Sequence, residues 1–229
     1  MTSNEVPKAI GVILDGNRRW AKEQGLEPFE GHREGSERVK DLVRWAREVG
    51  ISTVYIYAFS TENWNRAEEE VSYLMKLMAK FFSEGIVTEI EKEDGRVVFL
   101  GDRSRIPQAL VQEMERAEER TRSGKGGTLA VCLSYGGRAE IIAATNKLIR
   151  EGKEIAGEED FSRALWSAGL PDPDLIIRTS GEQRLSGFLT WQSVYSELFF
   201  TDTKWPAFTK EEFLSILEEY ATRERRKGK

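Results

Sequence analysis

Short apolar runs alternate with longer amphipathic stretches along the chain. Six runs are apolar at nearly every position and rich in β-branched or aromatic residues: residues 8–14, 53–59, 96–101, 128–134, 174–179 and 197–201. Continuous apolar runs of this length are typical of strands in a parallel sheet that helices cover on both faces. The pattern therefore predicts six short strands in one mainly parallel sheet.

Helical periodicity fills the segments between these strands. The clearest helical pattern ends at Gly50 and contains Val39, Leu42, Val43, Ala46 and Val49, and similar patterns cover about 67–83, 107–122, 137–150 and 209–226. Strands that alternate with helices form an α/β domain with right-handed crossovers. We therefore predict one α/β domain over residues 1–229, with a central six-stranded sheet flanked by helices and a basic tail at about 222–229.

Composition narrows the class of function. The 229 residues carry a net charge of −5 with acids and bases intermixed, which argues against a nucleic-acid partner. The one cysteine, Cys132, lies in an apolar run and offers neither a disulfide framework nor zinc spacing. No apolar run approaches the roughly 20 residues of a membrane helix. We therefore expect a cytoplasmic protein.

Polar clusters follow the predicted strands, where ligands of parallel α/β sheets bind. Each contains at least one arginine: DGNRR (15–19), STENWNR (60–66), GDRSR (101–105), SYGGR (134–138) and RTSGEQR (178–184). The P-loop and dinucleotide-binding glycine motifs are absent from the sequence, so nucleotide chemistry lacks its usual support. The clusters predict an anion site at the carboxyl edge of the sheet.

The first cluster places an acid, Asp15, at a strand-to-helix turn. The helix start and Arg18 and Arg19 favour a phosphate, which Asp15 would repel. The conflict disappears if Mg²⁺ joins the carboxylate to phosphate oxygens. The alternative is that Asp15 only caps the helix and the arginines face solvent.

Other clusters allow two interpretations as well. Ser60 and Asn63 can position a proton acceptor or can simply cap the next helix. His32 is either a functional group or a satisfied surface or capping residue. A loop with Arg178, Arg184 and Ser186 fits a second diphosphate through forked guanidinium bonds. Two anion sites and a metal-binding acid together indicate a reaction between two phosphorylated molecules.

Six segments in order resemble the cis-prenyltransferase family. They are DGNRRWA (15–21), GHREG (31–35), YAFSTENWNR (57–66), FLGDRSRIP (99–107), SYGGR (134–138) and the long block 174–208. The resemblance implies condensation of isopentenyl diphosphate with an allylic diphosphate such as farnesyl or geranylgeranyl diphosphate. The product would be a Z-polyprenyl diphosphate, a glycosyl-carrier lipid precursor. It also implies Mg²⁺, a homodimer, an apolar tunnel for the growing chain and peripheral membrane association.

The same resemblance assigns roles to residues at matching positions. Asp15 would bind Mg²⁺ and help the allylic diphosphate leave, and Ser60 and Asn63 would assist proton removal. The allylic diphosphate site would contain Gly16, Asn17, Arg18, Arg19 and His32, with Trp20 nearby. The other substrate contacts would be Phe59, Trp64 and Arg66, and isopentenyl diphosphate would be held by Arg178, Arg184 and Ser186. Glu197 would reach the metal across the homodimer interface, and the tail Arg226-Lys227-Gly228 would complete the neighbouring subunit's site.

Some positions depart from the family pattern. Arg18 and Pro28 stand where many bacterial members have glycine and arginine, and Ser180 and Gln183 replace glycine and histidine. The Asn-Arg-Arg version resembles archaeal and some eukaryotic members. These changes leave the allylic substrate open. Two alternatives also stay open: prenyl transfer to another acceptor such as a glycerol derivative, and a non-catalytic partner subunit, although such subunits lack the Asp and Ser/Asn groups that this chain keeps.

Overall fold

A computed structural model describes residues 6–154 and 157–224, and its centre is one six-stranded sheet. The strands are Ala9–Ile13 (β1), Thr53–Ser60 (β2), Arg96–Leu100 (β3), Thr128–Tyr135 (β4), Leu175–Arg178 (β5) and Glu197–Phe200 (β6). They lie in the order β3-β4-β2-β1-β5-β6, and every neighbouring pair is parallel. The predicted α/β sheet is confirmed, and its strands are not mainly but entirely parallel.

The helices lie on both faces of the sheet. They are Asn17–Glu23 (α1), Pro28–Glu48 (α2), Glu68–Lys80 (α3), Ile86–Lys92 (α4), Gln108–Arg120 (α5), Gly137–Arg150 (α6), Glu158–Ser162 (α7) and Lys210–Thr222 (α8). The short α7 has too few residues to show a period in the sequence. Over the described ranges, no helix combines the length and apolar character needed to cross a membrane.

The helix predicted over about 67–83 is longer than its pattern indicates. A π-helical turn at Phe81–Gly85 joins α3 to α4, so the helical path continues to Lys92. Beyond that turn Ile86 and Ile90, like Phe82 before them, are buried in the main core. The extra residue of a π turn shifts the helical phase, which a fixed 3.6-residue period does not anticipate. At the other end of the chain, the helix predicted over 209–226 ends at Thr222.

Alternate residues of the central strands enter two different apolar layers. Val54 and Ile56 pack with α2 and α8 in the main core, while Tyr55 lies in a second core on the other face. β1 alternates in the same way. Burial on both faces explains why these strands are apolar at nearly every position.

A buried carboxylate ties the start of α6 to the segments around it. Glu140 is fully buried and accepts hydrogen bonds from the Tyr135 hydroxyl (2.5 Å), the Ser167 backbone N–H (3.1 Å) and the Gln192 amide (2.9 Å). Three donors compensate for the cost of removing the carboxyl from water. The network therefore holds the end of β4, α6 and the segment near Gln192 in one arrangement.

We predict that Glu140→Ala lowers the free energy of unfolding by about 3 kcal/mol, because three buried donors lose their acceptor. Urea unfolding followed by circular dichroism measures the change. Glu119→Ala is the matched control, since its mostly exposed pair with Arg122 stabilises the protein little. A loss no greater than that of the control would contradict a structural role for the network.

Candidate active site

A cavity of about 940 Å³ opens at the carboxyl edge of the sheet. Polar groups that follow β1, β2 and β5 line one part of it, including Asp15, Asn17, Ser60, Asn63 and Arg178. Apolar groups of α2, α3 and the π turn line the other part: Val39, Leu74, Leu77, Met78, Phe81 and Phe82. The cavity is therefore polar at the sheet edge and apolar between the sheet and these helices.

Asp15 is the charged centre of the polar part. One carboxylate oxygen pairs with Arg178 at 2.9 Å and the other with Arg19 at 3.0 Å. Burial alone would raise the pKa of Asp15, but the hydrogen bonds from the two arginines outweigh it and hold the pKa below its usual value. Asp15 is therefore ionised at neutral pH.

Gly16 lets the chain turn from Asp15 into α1. Its φ of +103° lies in the left-handed region, and a Cβ there would stand 2.6 Å from the Ser180 hydroxyl oxygen. The next residue, Asn17, donates its amide to the Leu14 carbonyl at 3.0 Å, whereas its amide oxygen is buried without a partner among the described residues. A glycine and an unpartnered polar atom thus lie together at the predicted diphosphate site.

Glu70, in the first turn of α3, lies close to three of the predicted site residues. Its carboxylate lies 3.0 Å from Arg66, 3.5 Å from Arg18 and 3.8 Å from the His32 Nε2. Burial, with the charges of Arg66 and Arg18, lowers the pKa of His32 to about 4 despite the opposing effect of Glu70. His32 is therefore neutral at pH 7.

Ser60 and Asn63 cap a turn and also line the cavity. The Ser60 hydroxyl accepts from the Asn63 backbone N–H, and the Asn63 side chain accepts from the Ser60 backbone N–H at 3.0 Å, which caps the 3₁₀ turn at Thr61–Asn65. Both residues also line the cavity. A capping role and a position at the site therefore coexist.

The aromatic residues Phe59 and Trp64 pack next to this turn on the side away from the cavity. Trp64 donates its indole N–H to the Ser134 hydroxyl at 2.9 Å and packs edge-on against the buried Phe59. Neither ring belongs to the cavity lining described above, nor does Trp20, whereas Arg66 does. The two predicted aromatic contacts thus lie behind the Ser60 turn.

Arg178 connects the loop after β5 to Asp15. Its guanidinium donates to the Ser186 hydroxyl at 2.9 Å and to the carbonyl of Arg184. The side chain of Arg184 instead pairs with Glu182 at 2.5 Å and is exposed. Of the three residues predicted to hold isopentenyl diphosphate, Arg178 and Ser186 line the cavity, and Arg184 contacts Arg178 through its backbone.

Glu197 lies away from Asp15 within the chain. It is the first residue of β6 and pairs in register with Leu175, whereas Arg178, at the site, pairs with Phe200. Its carboxylate accepts a hydrogen bond from Arg223 at 2.9 Å. Glu197 would need a second chain to reach a metal site, as the sequence prediction also requires, and Arg226 and Gly228 lie outside the described residues.

Several cavity residues were missed by the sequence predictions, among them Tyr57 and Arg138. Tyr57 lies in the middle of an apolar strand run, where no spacing distinguishes it from core residues. Arg138 belongs to the SYGGR cluster, and its position after β4 was the available signal. Over residues 6–154 and 157–224 no group of three or more His, Cys, Asp and Glu side chains could hold a metal. Within these ranges, the carboxylates that line the cavity are those of Asp15 and Glu62.

Comparison with known proteins decides the family. The Prenyltransf family model, whose description is undecaprenyl diphosphate synthase, matches residues 13–228. The chain belongs to the cis-prenyltransferase family. This cis-prenyltransferase is 45% identical to an isoprenyl transferase of Fusobacterium nucleatum, over 97% of this chain and 96% of the relative. It is 43% identical to that of Thermotoga maritima, over 97% of each chain.

Solved structures of similar chains agree with the assignment. Lavandulyl diphosphate synthase from Lavandula x intermedia, solved with dimethylallyl diphosphate, superposes with a TM-score of 0.94 at 32% identity, over 99% of this chain and 100% of that one. A probable undecaprenyl diphosphate synthase from Campylobacter jejuni superposes with a TM-score of 0.83 at 32% identity, over 97% of this chain and 99% of that one. This cis-prenyltransferase is thus a prenyltransferase enzyme, and its family supports cis-prenyl chain elongation as its activity.

We predict that the one histidine of this cis-prenyltransferase stays neutral from pH 8 down to about pH 5.5, because burial and two arginines lower its pKa to about 4. The imidazole resonances of tag-free protein, followed by NMR, measure the titration. Stability should fall as pH drops through 6.5 toward 4, since the unfolded chain then binds a proton that the folded chain excludes. A midpoint between pH 6 and 7 would show that His32 is hydrated.

Proposed function

We propose that this cis-prenyltransferase condenses isopentenyl diphosphate with an allylic diphosphate to build a Z-polyprenyl diphosphate, a precursor of glycosyl-carrier lipids. The observation that carries the proposal is a cavity whose polar end holds Asp15, Arg178 and Ser186 and whose other end is apolar. Diphosphates fit the polar end, and a prenyl chain fits the apolar end. Head groups and hydrocarbon are thus separated as the reaction requires.

The reaction breaks the allylic C1–O bond and joins that carbon to C4 of isopentenyl diphosphate. The diphosphate leaves with the bonding electrons, and a proton leaves C2. Gly16, Arg18, Arg19 and neutral His32 would bind the departing diphosphate, and Arg178 and Ser186 would bind the acceptor diphosphate. Ser60 and Asn63 lie at the cavity wall, where they would orient the group that takes the proton.

Mg²⁺ fits this site through Asp15. The carboxylate is ionised and 28% exposed, and Mg²⁺ is commonly held by one carboxylate together with substrate phosphates and water. When bound, Mg²⁺ would neutralise charge on the leaving diphosphate. Asp15 would then exchange part of its contact with Arg19 or Arg178, which frees a cationic side chain for phosphate.

The apolar part of the cavity supports a tunnel for the growing chain. Leu74, Leu77 and Met78 recur on one face of α3, and Phe81 and Phe82 extend that lining through the π turn. Their helical spacing places apolar side chains along one wall of the cavity from Leu74 to Phe82, where a prenyl chain would contact them. The depth of this tunnel would limit the length of the product.

A homodimer is supported by the exposed surface around β6. Val194 and Tyr195 are 72% and 67% exposed, and Leu198 lies beside them at 37%. Large apolar side chains exposed together mark interaction surfaces. Glu197 lies in the same stretch, so a second copy placed there is the arrangement in which Glu197 and the basic tail would approach the partner's site. Peripheral association with membranes would follow from a long, apolar product.

Product analysis tests the proposed function. Incubation with labelled isopentenyl diphosphate, Mg²⁺ and geranyl, farnesyl or geranylgeranyl diphosphate should yield linear Z-polyprenyl products by mass spectrometry. Asp15→Asn should lower kcat at least about a hundredfold through loss of the metal anchor. Asp41→Asn is the matched control, because Asp41 also bridges two arginines, Arg38 and Arg44, but lies outside the cavity lining.

Each other outcome contradicts a specific part of the proposal. A branched product of one condensation would indicate a reaction like that named for the lavandulyl diphosphate synthase. Transfer to a glycerol derivative, or no turnover by correctly folded protein, would favour one of the two alternatives from the sequence. Retention of more than about a tenth of the wild-type rate by Asp15→Asn would exclude its metal role.

The basic tail provides a separate prediction. Deletion of residues 225–229 should raise KM for isopentenyl diphosphate and lower kcat, with a smaller effect on KM for the allylic primer, because the tail's charges would bind the acceptor diphosphate of the partner. Steady-state kinetics and sedimentation measure both effects. The dimer should survive because residues 225–229 are arginines, lysines and a glycine, which have little apolar side chain to bury. Unchanged kinetics for both substrates would contradict this role and would leave the alternative that the basic tail only complements the helix dipole.

A further inference from the structure

The hydroxyl of Tyr57 lies where three polar segments of the cavity meet. It is within 3.2 Å of the Tyr135 carbonyl at the end of β4 and within 3.3 Å of the Ser186 carbonyl in the loop after β5. The Tyr57 ring stacks on Phe188 with centroids 4.8 Å apart and lines the cavity. One phenol thus connects β2, β4 and the loop that carries Ser186.

That loop holds an unusual backbone conformation. Ser180, Ser186 and Leu189 have φ values of +75°, +50° and +47°, in the left-handed region that non-glycine residues rarely adopt. Such residues persist only where surrounding contacts hold them. Contacts to the Ser186 turn are therefore part of what makes its hydroxyl available to the cavity.

Two other contacts hold the same turn. The Arg178 guanidinium donates to the Ser186 hydroxyl and the Arg184 carbonyl, and the Gly137 N–H donates to the Gly187 carbonyl at 2.7 Å. Under the proposed function, a diphosphate competes for both the guanidinium and the hydroxyl. The phenol binds the Ser186 carbonyl instead, so its contact does not have to break when substrate binds.

We propose that Tyr57 is a positioning residue for the acceptor diphosphate: its hydroxyl fixes the Ser186 backbone so that the Ser186 hydroxyl and Arg178 converge on one phosphate group. This inference rests on the proposed function and adds to it a role for Tyr57, to which the sequence analysis assigns none. Tyr57 acts through Ser186, and no contact between the phenol and substrate is required.

The protonation state of the phenol suits this role. Burial raises the pKa of Tyr57, and the charge of Glu62 adds to the effect, while a hydrogen bond with Ser60 and the charge of Arg178 oppose it. The group therefore remains a neutral donor throughout the neutral and mildly alkaline range. Its contribution should be the same at pH 7 and pH 9.

Tyr57→Phe and Tyr55→Phe form a matched pair. Both residues lie in β2 on the same face, and the Tyr55 hydroxyl donates to the Pro171 carbonyl at 2.7 Å, away from the cavity. Each substitution keeps the ring and removes one hydroxyl: that of Tyr55 donates to one backbone carbonyl, and that of Tyr57 is shared between the Tyr135 and Ser186 carbonyls. Because Tyr135 is not among the residues that would bind the acceptor diphosphate, a selective loss of isopentenyl diphosphate binding in Tyr57→Phe reports the contact with the Ser186 loop.

Kinetics and calorimetry test the proposal. Tyr57→Phe should raise KM for isopentenyl diphosphate about tenfold, equivalent to 1.4 kcal/mol, with KM for the allylic primer within about twofold of wild type. Calorimetry of isopentenyl diphosphate with enzyme and Mg²⁺, without primer, should show a similar loss of affinity. Tyr55→Phe should change neither quantity by more than about twofold, even if it lowers the melting temperature equally.

Several results would overturn the inference. It fails if, at a temperature far below the melting temperature of either variant, Tyr57→Phe and Tyr55→Phe bind isopentenyl diphosphate with the same affinity. It also fails if Tyr57→Phe raises KM equally for both substrates or lowers only kcat. Absence of isopentenyl diphosphate binding to the wild type would overturn the proposed function as well. Normal binding by wild type with no defect in Tyr57→Phe would overturn this inference alone.

Discussion

The ion pair between Asp15 and Arg178 sets the arrangement on which the site depends. Arg178 is the last residue of β5, pairs in register with Ile13 of β1, and keeps only 6% of its side chain exposed. A guanidinium buried to this degree needs a charged partner, and removal of either member would leave an uncompensated charge. The pair therefore fixes the first turn after β1 against the loop after β5. Both segments that we propose to bind diphosphates take their positions from that contact.

Acidic side chains form ion pairs with four other arginines near the site in the absence of substrate. Glu70 pairs with Arg18 and Arg66, while Glu182 lies 3.5 Å from Arg19 and 2.5 Å from Arg184. These pairs keep the guanidinium groups close to the cavity without the repulsion that unscreened cations would suffer. A diphosphate that binds as proposed would have to displace the acids, which would offset part of its attraction, but side chains already held near the site lose less entropy on binding.

Most of the fold could be predicted from the sequence, because strands buried on both sheet faces are apolar at nearly every position. It also located polar clusters after β1, β2, β4 and β5 at the cavity, since parallel topology brings strand ends to one edge, whereas none of residues 101–105 after β3 lines the cavity. The sequence did not show how side chains are oriented in the folded chain. Asn63 caps its own turn and also lines the cavity, and the local pattern could not decide between a cap and a position at the site. The apolar strand pattern indicates that Tyr57 is a core residue, and only the structure shows its hydroxyl next to the Ser186 carbonyl. The position of Glu197 depends on strand register, which apolar runs do not specify when both faces are buried.

The two ends of the cavity are built from different elements. The sheet edge, held by the Asp15–Arg178 pair, supplies the charged groups, whereas α2, α3 and the π turn supply the apolar wall. The π turn carries Phe81 and Phe82 at this wall, and the helical path continues through Ile86 and Ile90 into the main core. A change in side-chain volume on α3 would therefore alter the space for hydrocarbon without touching the ion pair. Under the proposed function, the geometry of prenyl transfer and the size of the prenyl chain would consequently be governed by separate parts of the structure.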